Sequence, residues 1–424
     1  MAIVGKKLLV LGGTKLSCEI INQAKNLGAI VYVTDYLEDS PGKKIADKSF
    51  MVSTTDIDAV VQLIKDENID GVLTGFIDSL LPYYQKICEN SGLPCYASDG
   101  QFEMATNKIR FKALCNAFGI PVVEEYNLKY PLIREEIDKL NYPVLVKPAD
   151  NSGARGLYVC EDADMLISRY EDARSFSKSK KIIVERYMNE KEASIFYVIQ
   201  DGNVYLSGMA DRHMKNKKFG HIPLPVAYTW PSHALKNYEE TLHPNVVKMF
   251  KAIGLKNGLV FIQSFVVDGA CIFYEMGYRL SGSLEYKIMK KLNGLDPLEM
   301  LVNFALTGSM YEASLDQKFK PNYENWGFNL TFLARPGKIG SMEGLETVAD
   351  MADVLDVVTA YSPGDVIPEN AIGTLKQVVL RVFGTSNTKN EMKTLMDRIH
   401  KAIKVYSEDG DDMLLEVLNV EELI

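Results

Sequence analysis

The sequence lacks the long apolar runs of membrane proteins and the positive charge of proteins that bind nucleic acid. No stretch of its 424 residues approaches the roughly 18 apolar residues that a membrane-spanning helix needs. The apolar run after Lys6 and Lys7 covers only residues 8–13, which is too short for the core of a signal peptide. The net charge is −9, whereas nucleic acids are bound by basic faces. We therefore expect a cytoplasmic protein with no membrane or nucleic-acid partner.

Cysteine is also scarce, and its six copies are scattered along the chain. No C-x-x-C pair occurs, and no group of cysteines and histidines has the spacing of a zinc site. We expect reduced, mostly buried thiols, which suits a cytoplasmic protein.

Residues 7–100 alternate short apolar strands with amphipathic helices, which predicts a parallel sheet covered by helices. Ligands of such sheets bind at the carboxyl ends of the strands, here near Gly12, Asp35 and Gly75. Asp35 lies where the ribose-binding acid of a dinucleotide site would stand, but residues 12–17 do not form G-x-G-x-x-G. An NAD-dependent oxidoreductase is therefore the least favoured alternative, and a sheet that contributes substrate contacts is preferred.

The rest of the chain has the pattern of antiparallel α+β structure. Asp-Gly pairs at 201–202 and 268–269 each separate two apolar strands and indicate β-hairpins. A helix is predicted over 131–140 and a strand over 374–383. We predict three domains, 1–103, 104–310 and 311–424, the second with a smaller lid over about 121–188. The last domain shows no candidate site residue.

The segment 143–156 has the composition of a phosphate-binding hairpin. A short apolar strand leads to Lys147, and a loop with Ser152, Gly153 and Arg155 follows before the next strand. Glycines let backbone N–H groups approach phosphate oxygens, and the two cations balance the phosphate charge. An ordinary hairpin loop is the alternative when this segment is taken alone.

A second candidate lysine lies upstream of this hairpin. Asn107 is a plausible N-cap of a helix, and Lys108 stands in its first turn. Lysines that converge from two different elements, here Lys108 and Lys147, would suit the oxygens of two phosphates.

An apolar strand over 182–184 leads to two further candidates. Glu185 ends this strand, and the linker that follows it exposes backbone N–H and C=O groups that can hydrogen-bond an adenine edge. Glu192, seven residues beyond Glu185, can accept hydrogen bonds from ribose hydroxyls.

Glu275 closes an aromatic-rich strand, where a carboxylate needs a partner. Mg²⁺ that bridges nucleotide phosphates is such a partner, since it takes one or two carboxylates plus phosphates. Gln263 lies within the preceding predicted strand, 258–268, and Arg279 could hold a phosphoryl group that is being transferred.

The order of these residues resembles the ATP-grasp superfamily, which includes carbamoyl phosphate synthetases, biotin carboxylase and L-amino-acid ligases. The resemblance covers nearly the whole chain. It implies an α/β and α+β fold, with a parallel-sheet pre-ATP-grasp domain, a two-subdomain ATP-grasp unit and a small C-terminal α+β region. It also implies ATP, Mg²⁺ or Mn²⁺, and a homodimer.

The resemblance also implies a role for each candidate residue. The nucleotide would be bound by Lys108, Lys147, Ser152, Gly153, Arg155, Glu185, Arg186, Met188 and Glu192. The metal would be bound by Glu275 and Gln263, and catalysis would rest on Arg279 and Lys147. Substrate contacts are expected from Ser281 and Gly282, and from Arg212 and His221 in a Lys/His-rich loop over 211–221.

Two positions depart from the superfamily pattern. An acid usually stands where this chain has Gln263, and an asparagine where it has Gly277. Gln263 removes a negative charge, and Gly277 offers no side chain. Weak metal binding, a shifted ligand and lost catalysis are therefore alternatives, and the intact lysines and Arg279 favour activity.

By resemblance, the chain is expected to join a carboxylate to an amine or a thiol through an acyl phosphate, with release of ADP and phosphate. One alternative is an enzyme similar to carbamoyl phosphate synthetase that uses bicarbonate. Another is an ATP-binding regulatory protein with weakened catalysis, motivated by Gln263 and Gly277.

Overall fold

The computed structural model describes residues 3–150, 155–216, 220–316 and 318–423. Its N-terminal part is a four-stranded parallel sheet in the order β3-β2-β1-β4, which confirms the predicted parallel sheet. Residues 8–10 on the central strand are fully buried, as expected for a strand that helices cover on both faces. The elements are β1 (Lys7–Leu11), α1 (Ser17–Asn26), β2 (Ile30–Thr34), α2 (Pro41–Ile45), β3 (Lys48–Phe50), α3 (Ile57–Glu67), β4 (Gly71–Leu73), α4 (Leu81–Ser91) and α5 (Asp99–Thr106).

A small antiparallel sheet in the order β6-β5-β7 follows and packs on one helix, α8. It has an apolar core of its own, to which Val144, Val146 and Leu166 belong. The helix predicted over 131–140 was too long, because Ile133 is extended and only four residues are helical. The elements are α6 (Lys108–Ala117), α7 (Arg134–Ile137), β5 (Val144–Pro148), β6 (Tyr158–Cys160), α8 (Ala163–Phe176) and β7 (Ile182–Arg186).

An eight-stranded sheet in the order β12-β11-β8-β9-β10-β13-β17-β15 forms the largest layer. Two of its hairpins turn at Asp201-Gly202 and Asp268-Gly269, with φ of 51° and 80°, and of 50° and 80°. Positive φ at both central residues is the property of a type I′ turn, so the predicted hairpins are confirmed. The elements of this part are β8 (Lys191–Gln200), β9 (Asn203–Lys215), β10 (Leu224–Trp230), α9 (Leu235–Thr241), α10 (His243–Ala252), β11 (Gly258–Val267), β12 (Ala270–Gly277), α11 (Tyr286–Asn293) and α12 (Pro297–Thr307).

The C-terminal part adds three strands to the large sheet and forms a second small sheet in the order β16-β14-β18. The strand predicted over 374–383 begins later, because residues 375–377 form a 3-10 turn. The elements are β13 (Trp326–Leu333), β14 (Gly337–Glu343), α13 (Leu345–Ala349), β15 (Val354–Thr359), β16 (Val366–Ile367), β17 (Val378–Ser386), α14 (Lys389–Ala402) and β18 (Lys404–Ser407).

Helix α12 joins the parallel sheet to the rest of the chain. A Cβ at Gly71 on β4 would stand 2.2 Å from the carbonyl oxygen of Ala305, so only glycine allows this approach. Lys6 Nζ also donates to the carbonyl oxygen of Leu306 at 2.7 Å. The segments that follow β1 and β4, 14–16 and 76–79, consequently line the same cleft as the large sheet.

Candidate functional site

A cleft of about 2060 Å³ opens between the parallel sheet, the small antiparallel sheet and the large sheet. Most of the residues predicted to form the site line this cleft, although they lie far apart in the sequence. They are Lys108, Lys147, Arg155, Glu185, Arg186, Met188, Glu192, Arg212, Gln263, Glu275, Arg279, Ser281 and Gly282.

Three predicted residues are not placed in the cleft. Ser152 and Gly153 lie outside the described residues. His221 is not among the residues that line the cleft, and its ring packs so closely on Gly373 that a Cβ there would stand 2.6 Å from Nδ1. The loop predicted over 211–221 was wrong for residues 211–215, which continue strand β9.

Asp35, which motivated the dinucleotide alternative, has a structural role. Its carboxylate accepts hydrogen bonds from the backbone N–H groups of Gly13, at 2.7 Å, and Leu37, at 2.9 Å. The residue is buried and does not belong to the cleft lining. The Asp35 carboxylate thus stabilises the turn that follows β1.

A buried cluster of charges joins the small sheet to helix α6. Lys147 Nζ on β5 donates to one oxygen of Glu185 on β7, and Lys112 Nζ donates to the other at 2.5 Å. Burial by itself raises the pKa of Glu185, but the adjacent charges of Lys147 and Lys112 outweigh it and the pKa lies below its usual value. Glu185 therefore stays ionised and fixes the Lys147 ammonium group at the cleft wall.

Lys112 was missed in the sequence, although a signal was present. It stands four residues after Lys108 in helix α6, so the two side chains share one face of the helix. Lys112 Nζ also donates to the carbonyl oxygen of Val123 at 3.1 Å. It also lies 3.4 Å from Glu125 Oε2, and it compensates the Glu185 oxygen that Lys147 does not contact.

Glu275 and Gln263 stand directly opposite each other on β12 and β11. Lys108 Nζ lies 3.3 Å from Glu275 Oε1. The described residues contain no group of three or more His, Cys, Asp or Glu side chains that could hold a metal ion. One carboxylate and one amide oxygen nevertheless fit Mg²⁺, which completes its ligand sphere with phosphate oxygens and water.

Phe261 explains why residue 277 is glycine. The two residues are paired across β11 and β12, and a Cβ at Gly277 would stand 2.3 Å from two atoms of the Phe261 ring. The same ring lies 5.2 Å below the Arg279 guanidinium. The Phe261 ring therefore occupies the space that a metal-binding side chain at position 277 would need.

This packing predicts a loss of stability on substitution of Gly277. Gly277→Ala is expected to lower the free energy of unfolding by about 2 kcal/mol, because the methyl group overpacks the Phe261 ring. Gly282→Ala is the matched control, since its Cβ would meet only Leu16 Cδ1, at 3.7 Å. Urea denaturation measures both variants, and equal stabilities would show that the Phe261 ring gives way.

Glu192 is held at the cleft wall by two neighbouring side chains. Its Oε2 accepts hydrogen bonds from Tyr274 Oη at 2.7 Å and from Arg212 Nη1. Arg212 Nε donates further to Tyr228 Oη at 3.2 Å. The other carboxylate oxygen of Glu192, Oε1, makes no hydrogen bond within the described part of the chain. It can therefore accept a hydrogen bond from a ligand.

Arg279 reaches across the cleft to the parallel sheet. Its Nε and Nη2 donate to the two carboxylate oxygens of Asp78, each at 2.5 Å, and Nη1 donates to the carbonyl oxygen of Leu280 at 2.7 Å. Burial by itself lowers the pKa of Arg279, but the Asp78 charge outweighs it and the pKa lies above its usual value. Asp78 was missed in the sequence, although it follows β4 at the edge where ligands were expected.

A loop of hydroxyl groups follows Arg279. The Oγ atoms of Ser281 and Ser283 are 2.7 Å apart, and Ser283 Oγ donates to Glu285 Oε2 at 2.8 Å. Asn329 Nδ2 on β13 donates to the carbonyl oxygen of Ser283 at 2.7 Å and fastens the loop to the large sheet. Burial raises the pKa of Glu285 to about 7.

The raised pKa of Glu285 makes stability depend on pH. The unfolded group has a pKa of 4.5, so the folded protein binds an additional proton between pH 4.5 and about 7. The free energy of unfolding therefore falls, by roughly 3 kcal/mol, as pH rises through this window. Urea denaturation at pH 5 and pH 8 should show this fall in the wild type and lose it in Glu285→Gln. The same pH dependence in both proteins would contradict the assignment.

Comparison with known proteins identifies the part of the chain that surrounds these residues. Residues 107–312 match the family model of the ATP binding domain of the carbamoyl-phosphate synthase L chain. The 2-oxoglutarate carboxylase small subunit of Hydrogenobacter thermophilus is 25% identical over 338 residues, which cover 74% of this chain and 69% of that protein. A formate-dependent phosphoribosylglycinamide formyltransferase of Prochlorococcus marinus is 27% identical over 197 residues, which cover 44% of this chain and 48% of the enzyme. The match thus spans about half the length of the formyltransferase.

Solved structures share the fold along almost the whole chain. An L-amino acid ligase from Bacillus licheniformis superposes with a TM-score of 0.75 at 19% identity and covers 95% of this chain and 99% of its own. The biotin carboxylase domain of H. thermophilus 2-oxoglutarate carboxylase, solved as a dimer with MgADP, ADP and bicarbonate, has a TM-score of 0.75 at 18% identity, with 97% and 91% coverage. No helix among the described residues is long and apolar enough to cross a membrane. In its matched ATP-binding domain and in its fold, the chain is thus similar to ligases of the ATP-grasp superfamily.

Proposed function

We propose that this enzyme uses ATP to phosphorylate a carboxylate substrate and then joins the acyl group to an amine. The proposal rests on one observation: lysines from two different elements line the same cleft as a carboxylate and an amide. Lys147 and Lys108 supply the cations, and Glu275 and Gln263 supply the oxygen ligands. This combination suits a metal-bound polyphosphate, whose negative charge neither set could neutralise alone.

The nucleotide is proposed to lie between the small sheet and the large sheet. The exposed backbone that follows β7, at Arg186 and Met188, would hydrogen-bond the adenine edge. The ribose hydroxyls would donate to Oε1 of Glu192, whose Oε2 is already held by Arg212 and Tyr274. Because Arg212 fixes this carboxylate, it belongs to the nucleotide side of the cleft rather than to a substrate loop.

The phosphates are proposed to lie between Lys147 and Glu275. The ion pair with Glu185 holds Lys147 in place before ATP arrives, so binding costs little side-chain entropy. Lys108 would reach the phosphates and keep its 3.3 Å contact with Glu275. Ser152, Gly153 and Arg155 would cover them from the hairpin loop. Mg²⁺ held by Glu275 and Gln263 would supply further positive charge, which favours departure of ADP.

The reaction itself needs no protein nucleophile. A carboxylate oxygen of the substrate attacks the γ-phosphorus of ATP, the bond to the β-bridging oxygen breaks, and ADP leaves. The amine then attacks the acyl carbon, the bond to the phosphate oxygen breaks, and phosphate and a proton are released. Arg279, fixed by Asp78, would stabilise the transferred phosphoryl group, and Ser281 and Gly282 would orient the acid.

Bicarbonate is the alternative acid substrate. It is supported by the relatedness to a 2-oxoglutarate carboxylase subunit and by the fold shared with a domain solved with bicarbonate. The regulatory alternative rests on Gln263 and Gly277, which limit the protein ligands for metal. A homodimer is proposed only by analogy with that domain, which was solved as a dimer.

Phosphate release in the presence of MgATP separates these possibilities. The protein is incubated with pools of carboxylic acids and amino acids, with and without bicarbonate. Release that requires an acid together with an amine supports the ligase, and release that requires bicarbonate supports the carboxylating enzyme. Binding of ATP without release under any condition supports the regulatory protein.

Gln263 offers a sharper test of the metal site. Gln263→Glu adds a second carboxylate directly opposite Glu275, so the Mg²⁺ concentration for half-maximal activity should fall, by about tenfold. Gln263→Ala should raise it. A total loss of activity in Gln263→Glu would give this residue a role other than metal binding.

A further inference from the structure

Arg381 on β17 is a buried cation without an acidic partner. Its side chain lines the cleft, and the residue is only 7% exposed. Its Nη1 donates to Thr331 Oγ1, and it makes no ion pair with any described residue. Arg212 and Arg279 of the predicted site differ from it, since Arg212 pairs with Glu192 and Arg279 with Asp78.

An uncompensated charge in this environment is costly. Burial lowers the pKa of Arg381, which shows that the surroundings disfavour the cation. Tyr228 and Glu285 oppose this lowering, but no oxygen of Glu285 comes within ion-pair distance of Arg381. A neutral side chain of the same length would pack at this place without that cost, so the guanidinium has a use other than stability.

The position of Arg381 suggests that use. On β13, Thr331 pairs with Arg381, and Asn329 two residues earlier holds the serine loop through the carbonyl oxygen of Ser283. Arg381 thus stands on the strand next to the one that holds the serine loop, and Arg279 and Arg381 line the same cleft. A molecule between them could place one anionic group at each end.

We propose that Arg381 binds a second anionic group of the acid substrate, a carboxylate or a phosphate, distinct from the carboxylate that is phosphorylated. The inference rests on the proposed function and defines its substrate class, an acid with two anionic groups. A planar guanidinium forms paired hydrogen bonds with both carboxylates and phosphates, which explains an arginine here rather than a lysine. Phosphorylation would take place at the metal end, near Arg279 and Glu275.

Matched pairs of amino acids test this class. Aspartate with asparagine and glutamate with glutamine probe a second carboxylate, and O-phosphoserine with serine probes a phosphate. Phosphate release with MgATP gives kcat/KM for each, and the melting temperature of the MgADP-bound protein reports binding without turnover. The wild type should prefer the dianionic member of at least one pair by about tenfold to a hundredfold. Arg381→Met should reduce that preference to within about twofold.

Two controls separate a binding role from a structural one. Arg335→Met removes an exposed arginine that pairs with Asp411 at 3.6 Å, and it should keep the preference. Arg381→Met should be at least as stable as the wild type in urea, because it removes an uncompensated buried charge. A marked loss of stability would mean that Arg381 is structural and would overturn the inference.

The remaining outcomes are decisive as well. A wild type that binds MgATP but responds equally to both members of every pair overturns this inference and leaves the proposed function standing. An unchanged preference in Arg381→Met also overturns it. A wild type that binds no MgATP overturns the proposed function, and the inference fails with it.

Discussion

Replacing Lys147 by alanine is expected to lower acid-dependent ATP turnover about a thousandfold, which corresponds to roughly 4 kcal/mol of transition-state stabilisation. The ammonium group is buried and held by Glu185 at the cleft wall, so neither water nor a surface lysine can take its place. Steady-state phosphate release and the Kd of ATP measure the two parts of the loss. We expect turnover to fall by more than binding weakens.

The variant should still fold, because Lys112 continues to neutralise Glu185 after Lys147 is gone. Removal of both lysines would leave that carboxylate buried and unpaired, which typically costs several kcal/mol. Urea denaturation of Lys147→Ala and of the double variant with Lys112→Met should therefore separate a chemical defect from unfolding. Wild-type turnover in a folded Lys147→Ala protein would show that the phosphates bind elsewhere.

Replacing Glu275 by alanine is expected to lower turnover at least a hundredfold, which corresponds to roughly 3 kcal/mol. The substitution removes the only carboxylate of the proposed metal pair and also leaves Lys108 without its 3.3 Å partner. Titration of activity with Mg²⁺ measures the effect, and a higher metal concentration should restore only part of the rate.

Glu103→Gln provides the matched control for this charge change. Glu103 also lines the cleft, but its side chain is 44% exposed and pairs with Arg110 at 3.0 Å. Its loss should change turnover by less than about twofold. Equal effects of the two substitutions would indicate that Glu275 acts only through the general field of the cleft.

Local sequence signals predicted much of the fold. The Asp-Gly hairpins follow from the φ values that their turns require, and the parallel sheet follows from alternating apolar strands and helices. Helix ends were harder to predict, as the shortened helix at 134–137 shows. Extended residues beside a proline show no hydrophobic periodicity that would mark the start of a helix. The position of such a helix end therefore depends on tertiary packing.

The site was predictable where a residue type is unusual for its own segment. Lys147 and Glu275 end apolar strands, and each lies in the cleft. Asp78 and Arg381 were not predicted, because they reach the cleft only through the packing of strands that are distant in the sequence. Arg381 stands in an apolar strand, and the sequence alone does not reveal which face of that strand meets a ligand.

Isotope transfer from the acid substrate tests the central claim, an acyl phosphate formed in this cleft, most directly. Carboxylic acids labelled with ¹⁸O in the carboxylate are incubated with the enzyme, MgATP and an amine, and the released phosphate is analysed by mass spectrometry. The account predicts one labelled oxygen in each phosphate released by the wild type and about a thousandfold slower release of labelled phosphate by Lys147→Ala. Acid-stimulated phosphate whose added oxygen comes from water would contradict it.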